Sequence, residues 1–332
     1  MDSSMSDFLS VLEQFSRSQI LVIGEAMLDR YLYGGAARLC QETPVPVVTL
    51  SHTIDQPGGA ANTAMNLQSL GADVTLLSVI GEDWEGMRLQ QVLSGITGIV
   101  TIHDRTTLTK QRVMDGDRLL LRFDQGTTEA LSTELENKLI TELKAQWNDY
   151  DAVIISDYGY GILTDQIINT IDQLQQHNPK VLIVDAKNLV KYQHLDVTAV
   201  KPNYQQTLNL LNQIEDISRS RIQYVKHNAE EILEKTGARI VAVTLDRAGV
   251  ILLQRDRAPY QIRANPACPT QTIGAGDTFT ATFAIALTIT EDSTIAAELA
   301  AAAAAIVVQK PGTARCTLEE LQSMFNHVLE PS

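Results

Sequence analysis

Basic residues are in short supply: 26 lysines and arginines stand against 40 aspartates and glutamates, a formal charge of −14 over 332 residues. A surface of that sign repels phosphate backbones and anionic lipid, which excludes nucleic-acid and membrane-surface binding but still allows a local basic site for a small anion. Cysteine is scarcer still. Cys40, Cys268 and Cys316 lie far apart with no C-x-x-C pairing, so neither a disulfide framework nor a zinc site is expected, and a reducing, cytoplasmic compartment fits. The six histidines are scattered without metal-ligand spacing, and no residue is assigned to a metal. Long apolar runs are missing too. The most apolar stretch, "AAELAAAAAAIVV" at 296–308, is too short to span a bilayer and carries Glu298; it reads as a buried helix. The N-terminus has no basic region leading into a hydrophobic run, so no signal peptide is expected.

What the chain does have is alternation. Short apolar runs at 20–24, 74–81, 151–157, 180–185, 197–203 and 239–245 read as buried parallel strands. Helical periodicity occupies 60–70, 83–94, 132–147, 164–177 and 223–236. This order predicts an α/β fold, a doubly wound, mostly parallel sheet flanked by helices, with ligands at the carboxyl ends of the strands. Polar residues cluster there: Asp29, Asp157, Asp185, Asn203 and Asp246. Two regions break the pattern. Residues 31–50 look extended but carry prolines, and 107–124 read as a hairpin with Asp115-Gly116 at its turn. Together they predict a small β-sheet lid that closes over a ligand or pairs with a second subunit.

Two motifs carry chemistry. In "PGGAANTAMNLQSLGA" (57–72), Gly58 and Gly59 permit close backbone approach before a helix that Asn62 enters in its first turn. The plainer alternative is a glycine-rich loop into a core helix with Asn62 as cap; neither a Walker A loop nor G-x-G-x-x-G is present. In "TIGAGDTF" (272–279), Gly274, Ala275 and Gly276 precede Asp277 at a helix start. Free amides there form a site for phosphate or a developing oxyanion, and the carboxylate can act as general base. The alternative is an ordinary turn with Asp277 as N-cap.

These two motifs, in this order and about two hundred residues apart, resemble the signatures of ribokinase-like (PfkB) carbohydrate kinases. Within that family "GEAMLDRYLYG", "ETPVPVV", "TKQRVMDGDRLLLRFD", "SDYGYGIL", "IVDAKN", "KPN" and "PGTARCTLEEL" are similar to bacterial D-glycero-β-D-manno-heptose 7-phosphate kinases. The resemblance implies a kinase domain over 20–330 after an extension at 1–19, with lid strands from about 30–50 and 107–124. It implies ATP-dependent phosphorylation of a sugar or sugar phosphate, with Asp277 as base and Gly274, Ala275 and Gly276 offering amides to the phosphoryl group. Asp29, Gly59, Asn62, Asp157 and Lys187 are expected at the sugar. Lys110, Arg112 and Arg122 are read either as a grip on the sugar's own phosphate or as an exposed charged strand face. Asn203, Tyr204, Gln205, Gln206, Thr244, Asp246, Gly249 and Gly312 are expected at ATP, with Mg²⁺ as cofactor.

The chain departs from the family at three places. Gln206 stands where N-x-x-E has its acid, Gln271 and Ile273 replace groups of a K⁺ site, and Tyr160 replaces a lysine. These departures open a second reading, a weakened kinase homologue that binds sugar or nucleotide. A third is a kinase for a nucleoside or unphosphorylated sugar. A homodimer through the lid is expected, and no nucleotidyltransferase domain is expected after the kinase.

Overall fold

Why apolar runs and amphipathic segments alternate is plain in the computed structural model, which describes residues 2–102, 104–215, 220–264 and 273–329. The chain runs α1 (Asp2–Leu12), β1 (Gln19–Gly24), β2 (Ala26–Leu39), β3 (Pro46–Gly59), α2 (Ala60–Ser69), β4 (Asp73–Gly81), α3 (Trp84–Val92), β5 (Thr97–Ile102), β6 (Thr109–Asp115), β7 (Arg118–Gln125), α4 (Thr133–Gln146) and β8 (Ala152–Asp157). It continues through α5 (Asp165–His177), β9 (Val181–Ala186), β10 (Ala199–Val200), α6 (Tyr204–Leu210), α7 (Arg221–His227), α8 (Ala229–Thr236), β11 (Ile240–Thr244), β12 (Val250–Gln254), β13 (Tyr260–Ile262), α9 (Ala275–Thr290), α10 (Ser293–Val307) and α11 (Leu318–Leu329).

Among the described residues, one sheet has nine strands in the order β13-β12-β11-β10-β9-β8-β1-β4-β5. It is parallel from β5 to β11, and β12 and β13 are antiparallel. The central strands are buried on both faces, which is why they read as unbroken apolar runs. Ile20 and Val22 of β1 join one apolar layer with α2, α9 and α10, while Leu21 and Ile23 join the other with α4, α5 and α8. The first layer also takes Phe8, Val11, Leu12 and Phe15. Residues 8–15 thus belong to this layer, and Phe8 packs on Phe325 with ring centroids 5.0 Å apart.

Two segments differ from expectation. The strand expected over 197–203 keeps a regular ladder only at Ala199–Val200, because Pro202 has no amide to give; Asn203 makes one isolated bridge to Thr244 and caps α6. The helix expected over 223–236 breaks at Asn228, whose side chain donates to the Tyr224 carbonyl at 2.8 Å. The edge strands β5 and β13, and β12 beside β13, were not anticipated.

The lid is a second sheet, ordered β3-β2-β6-β7, and its long strands exceed the expected 31–50 at both ends. β2 leaves the end of β1 after one residue, and β3 runs straight into α2. The lid thus rises from the carboxyl edge of the main sheet.

Candidate active site

At the start of α9 the N-cap is Gly274, held at φ 81, a conformation that favours glycine. Asp277 sits in the first turn and makes no capping bond, which sets aside the ordinary-turn alternative. Its carboxylate reaches across the fold: Oδ2 accepts from Asn62 Nδ2 at 2.6 Å and Oδ1 accepts from the Tyr158 hydroxyl at 3.1 Å. Asn62 is likewise no cap, since Gly59 holds that place and Asn62 is buried in the first turn of α2. Its amide has one workable orientation. Thr278 donates to Asn66 Oδ1 at 2.8 Å, and Asn66 Nδ2 donates to Asn62 Oδ1 at 3.3 Å, leaving Asn62 Nδ2 for Asp277.

Burial pushes the Asp277 carboxyl up to about 6, with the Asp185 charge adding and Asn62, Lys201 and Tyr158 opposing. The Lys201 ammonium lies 3.1 Å from Asp185 Oδ2, which also accepts from Thr280 at 3.2 Å. A Cβ on Gly276 would stand 3.3 Å from Lys201 Nζ. The helix start, with the free amides expected of a first turn, therefore faces a buried cation across space that a side chain would fill.

On the lid side, Asp29 Oδ1 pairs with Arg112 at 2.9 Å and Oδ2 accepts from Thr313 at 3.3 Å. Arg112 is buried in that pair, so it is neither an exposed charge nor a free grip for phosphate. Arg122 is more exposed and is held bidentately by Asp124. Lys110 differs: no acidic partner lies within ion-pair distance among the described residues, and its ammonium sits 4.9 Å over the Tyr158 ring. Burial lowers its pKa. Gly59, expected at the sugar, packs on the Glu25 backbone, where a Cβ would strike the carbonyl at 2.4 Å, and a Cβ on Gly58 would meet the Asp29 carboxyl at 2.8 Å. Both glycines therefore permit a close approach.

Asp157 accepts from Gly159 N at 2.7 Å and from the Tyr192 hydroxyl at 2.5 Å, and Lys187 is exposed with its ammonium 4.5 Å over the Tyr160 ring. Both lie beside the 158–162 loop.

Several residues expected at the nucleotide come together. Asn203 and Gln206 form a reciprocal capping box at α6, with Gln206 N to Asn203 Oδ1 at 2.8 Å and Asn203 N to Gln206 Oε1 at 2.7 Å. Gln206 Nε2 donates in turn to the Ala186 carbonyl at 3.2 Å. Thr244 bridges to Asn203, Asp246 pairs with Arg221 at 3.2 Å, and Gly249 turns the chain at φ 89. Tyr204 is buried against Tyr224, and Gln205 is exposed, bonded to Asn209. Gly312, expected at the adenine, instead packs on the lid: a Cβ there would come 2.8 Å from Gln56 Oε1, next to Thr313 and Asp29. Gln271 lies outside the described residues; Ile273 is in the turn before α9.

Among the described residues no group of three or more His, Cys, Asp or Glu could hold a metal. No helix among them is long and apolar enough to cross a membrane. Tyr158, Lys201 and Glu25 were missed as functional candidates; each lay inside a quoted motif, but nothing local marked it.

The family profile described as pfkB family carbohydrate kinase matches residues 17–321. The bifunctional protein HldE of Gluconobacter oxydans (strain 621H) is 34% identical over 316 residues, 94% of this chain and 65% of the relative. HldE of Koribacter versatilis (strain Ellin345) is 31% identical over 326 residues, 97% of this chain and 66% of the relative. The chain thus spans 65 to 66% of the length of these two relatives. Two solved structures share the fold at low identity. Phosphofructokinase-2 from Escherichia coli in complex with potassium has a TM-score of 0.76 at 19% identity, covering 94% of this chain and 100% of that one. Ribokinase from Arabidopsis thaliana complexed with ribose and ATP has a TM-score of 0.71 at 19% identity, covering 93% and 98%. With its ribokinase-like α/β fold and a profile match over most of its length, the chain belongs to the pfkB family of carbohydrate kinases.

Proposed function

We propose that this kinase phosphorylates a hydroxyl of a sugar phosphate of the heptose 7-phosphate type, with Asp277 as general base. The observation that carries the reading is the juxtaposition at α9: a carboxylate raised to about 6, set beside helix amides and the Lys201 cation. A base near that value is mostly ionised at neutral pH yet basic enough to take a hydroxyl proton. ATP brings the phosphoryl group, and its Mg²⁺ offsets the phosphate charge.

The chain's own residues do the rest. Asp29 orients the sugar, and Asp277 takes the proton of the attacking hydroxyl as its oxygen bonds to the γ-phosphorus. The bond to the β-phosphate oxygen breaks, and ADP leaves. The amides of 274–277 and Lys201 hold the charge on the transferring oxygens. Asn203, Thr244, Asp246 and Gly249 line the nucleotide side. A half-buried Lys110 with no carboxylate at ion-pair distance among the described residues favours a substrate that already carries an anionic group. K⁺ activation is read as weak, given Ile273. The lid's outer face supports a homodimer.

The test is ADP release with ATP, Mg²⁺ and K⁺ across heptose 7-phosphate, fructose phosphates, ribose and nucleosides. Asp277→Asn is expected to abolish turnover while ATP affinity stays within about threefold. Retained turnover in that variant would remove Asp277 as base. Sugar or nucleotide binding without turnover in the wild type would instead favour the binding-only reading that Gln206 motivates.

A further inference from the structure

Asp277 is held on both oxygens, and only one of its holders, Asn62, comes from the two motifs that carry chemistry in the sequence. The other, Tyr158, is the first residue after β8 and belongs to a loop fixed from two sides. From below, Glu25 accepts three of its amides: Oε2 takes Tyr158 N at 2.7 Å, and Oε1 takes Tyr160 N and Ile162 N, both at 3.2 Å. Glu25 is fully buried, and these bonds satisfy a carboxylate that burial and Asp157 otherwise push toward its neutral form. From the flank, buried Arg105 donates to the Tyr160 carbonyl at 2.8 Å and to the Thr127 and Glu129 carbonyls, each at 3.2 Å. The loop cannot rotate without breaking several of these bonds together.

We propose that Tyr158 is a positioning residue for the base, and that the Glu25–Arg105 clamp exists to aim its hydroxyl at Asp277. This rests on Asp277 being the base. With Asn62 on Oδ2 and Tyr158 on Oδ1, the carboxyl plane is set from opposite sides, one hand reaching from α2 and the other from the 158–162 loop. Burial and the charges of Asp277, Asp185 and Asp29 keep the Tyr158 hydroxyl protonated, so it is a constant donor, never a competing base. Lys110 above its ring fixes the other face and couples the lid to the same residue. A purely structural tyrosine would end on a backbone carbonyl or water; this one ends on the base.

The test is the pH profile of kcat/KM. The groups facing Asp277 are Asn62 from α2, Tyr158, Asp185 from β9, Lys201 before α6 and, through the Tyr158 ring, Lys110 from β6. Tyr158→Phe removes one donor and leaves the ring, the Lys110 contact and the other groups in place. Its acid limb is expected to move up by about half a unit to one unit, because the carboxylate loses a stabilising bond. Its kcat is expected to fall about tenfold, with KM for ATP within about twofold. Glu25→Gln turns an amide NH₂ toward the Tyr158 or Tyr160 N–H and releases the loop, so the limb should shift the same way. In the double variant it should move no further than in Tyr158→Phe.

An acid limb that stays in place in Tyr158→Phe overturns the proposal, as does full additivity in the double variant. Where Glu25→Gln fails to fold, Tyr158→Phe decides alone. Failure of the base assignment is read separately: Asp277→Asn would then keep its turnover, whatever Tyr158 does.

Discussion

Gln206 shows how one side chain can settle what a motif leaves ambiguous. Its Oε1 accepts from Asn203 N and its Nε2 donates to Ala186 O at 3.2 Å, so both ends of the amide are used. A glutamate fits the first contact but sets an oxygen against a carbonyl at the second. Gln206→Glu is therefore expected to cost roughly 1–3 kcal/mol in denaturant unfolding at pH 7.5 and to bring no gain in turnover. An unchanged stability with a rate gain above about tenfold would mean instead that a missing acid limits the chemistry. Asp277 allows a complementary test by pH. Its folded value of about 6 lies above the unfolded 3.8, so the stability it contributes is full below 3.8 and is lost as pH rises through 6. Asp277→Asn should thus melt higher than wild type at pH 8, with the difference vanishing near pH 4; scanning calorimetry across that range checks it. Much of this site was legible beforehand. Asp277 and Asn62 stood out because small residues precede each within a few positions. Tyr158 did not, since its bond to Asp277 joins residues 119 apart and a tyrosine between Asp157 and Gly159 carries no local mark of such a partner.

Helix α9 separates fold from function. Gly276 has no positive φ and sits inside the helix, where alanine is the better helix former by up to about 1 kcal/mol. For folding alone, glycine is the poorer choice. It fits the proposed site, in which the space beside Lys201, where a Cβ would stand 3.3 Å from Nζ, stays open for a phosphoryl oxygen. Gly276→Ala is accordingly expected to melt at or above the wild-type temperature while kcat/KM for ATP falls at least about a hundredfold. Near-wild-type kinetics would mean that the α9 amides do not hold the phosphoryl group. The same contrast explains which elements were legible. β1, β4 and β8 run unbroken and apolar because both faces are covered. β10 shrank to a pair because its carboxyl end is Lys201-Pro202-Asn203, residues committed to the site and to the cap of α6.

Across the whole molecule, the lid has two unlike faces. Arg112 is opposite Arg122 and Lys110 opposite Asp124, while Val113 is opposite Leu121 and Gln111 opposite Phe123. With side chains alternating along each strand, the charged set lies on the face that carries Asp29, and Leu121 and Phe123 lie on the other. There Leu121 is 58% exposed and Phe123 40%. Apolar side chains on an outer sheet face, with β3 and β7 as open edges, are the pattern that a second copy covers. The wild type is expected to sediment as a dimer, and Leu121→Asp with Phe123→Asp as a monomer. Because β2 and β6 carry Asp29 and Lys110, loss of the partner should raise KM for the sugar more than KM for ATP. A wild-type monomer would mean that Leu121 and Phe123 serve the lid some other way. A monomeric variant with unchanged sugar KM would mean that the lid holds Asp29 and Lys110 in place by itself, through Arg112 and Thr313.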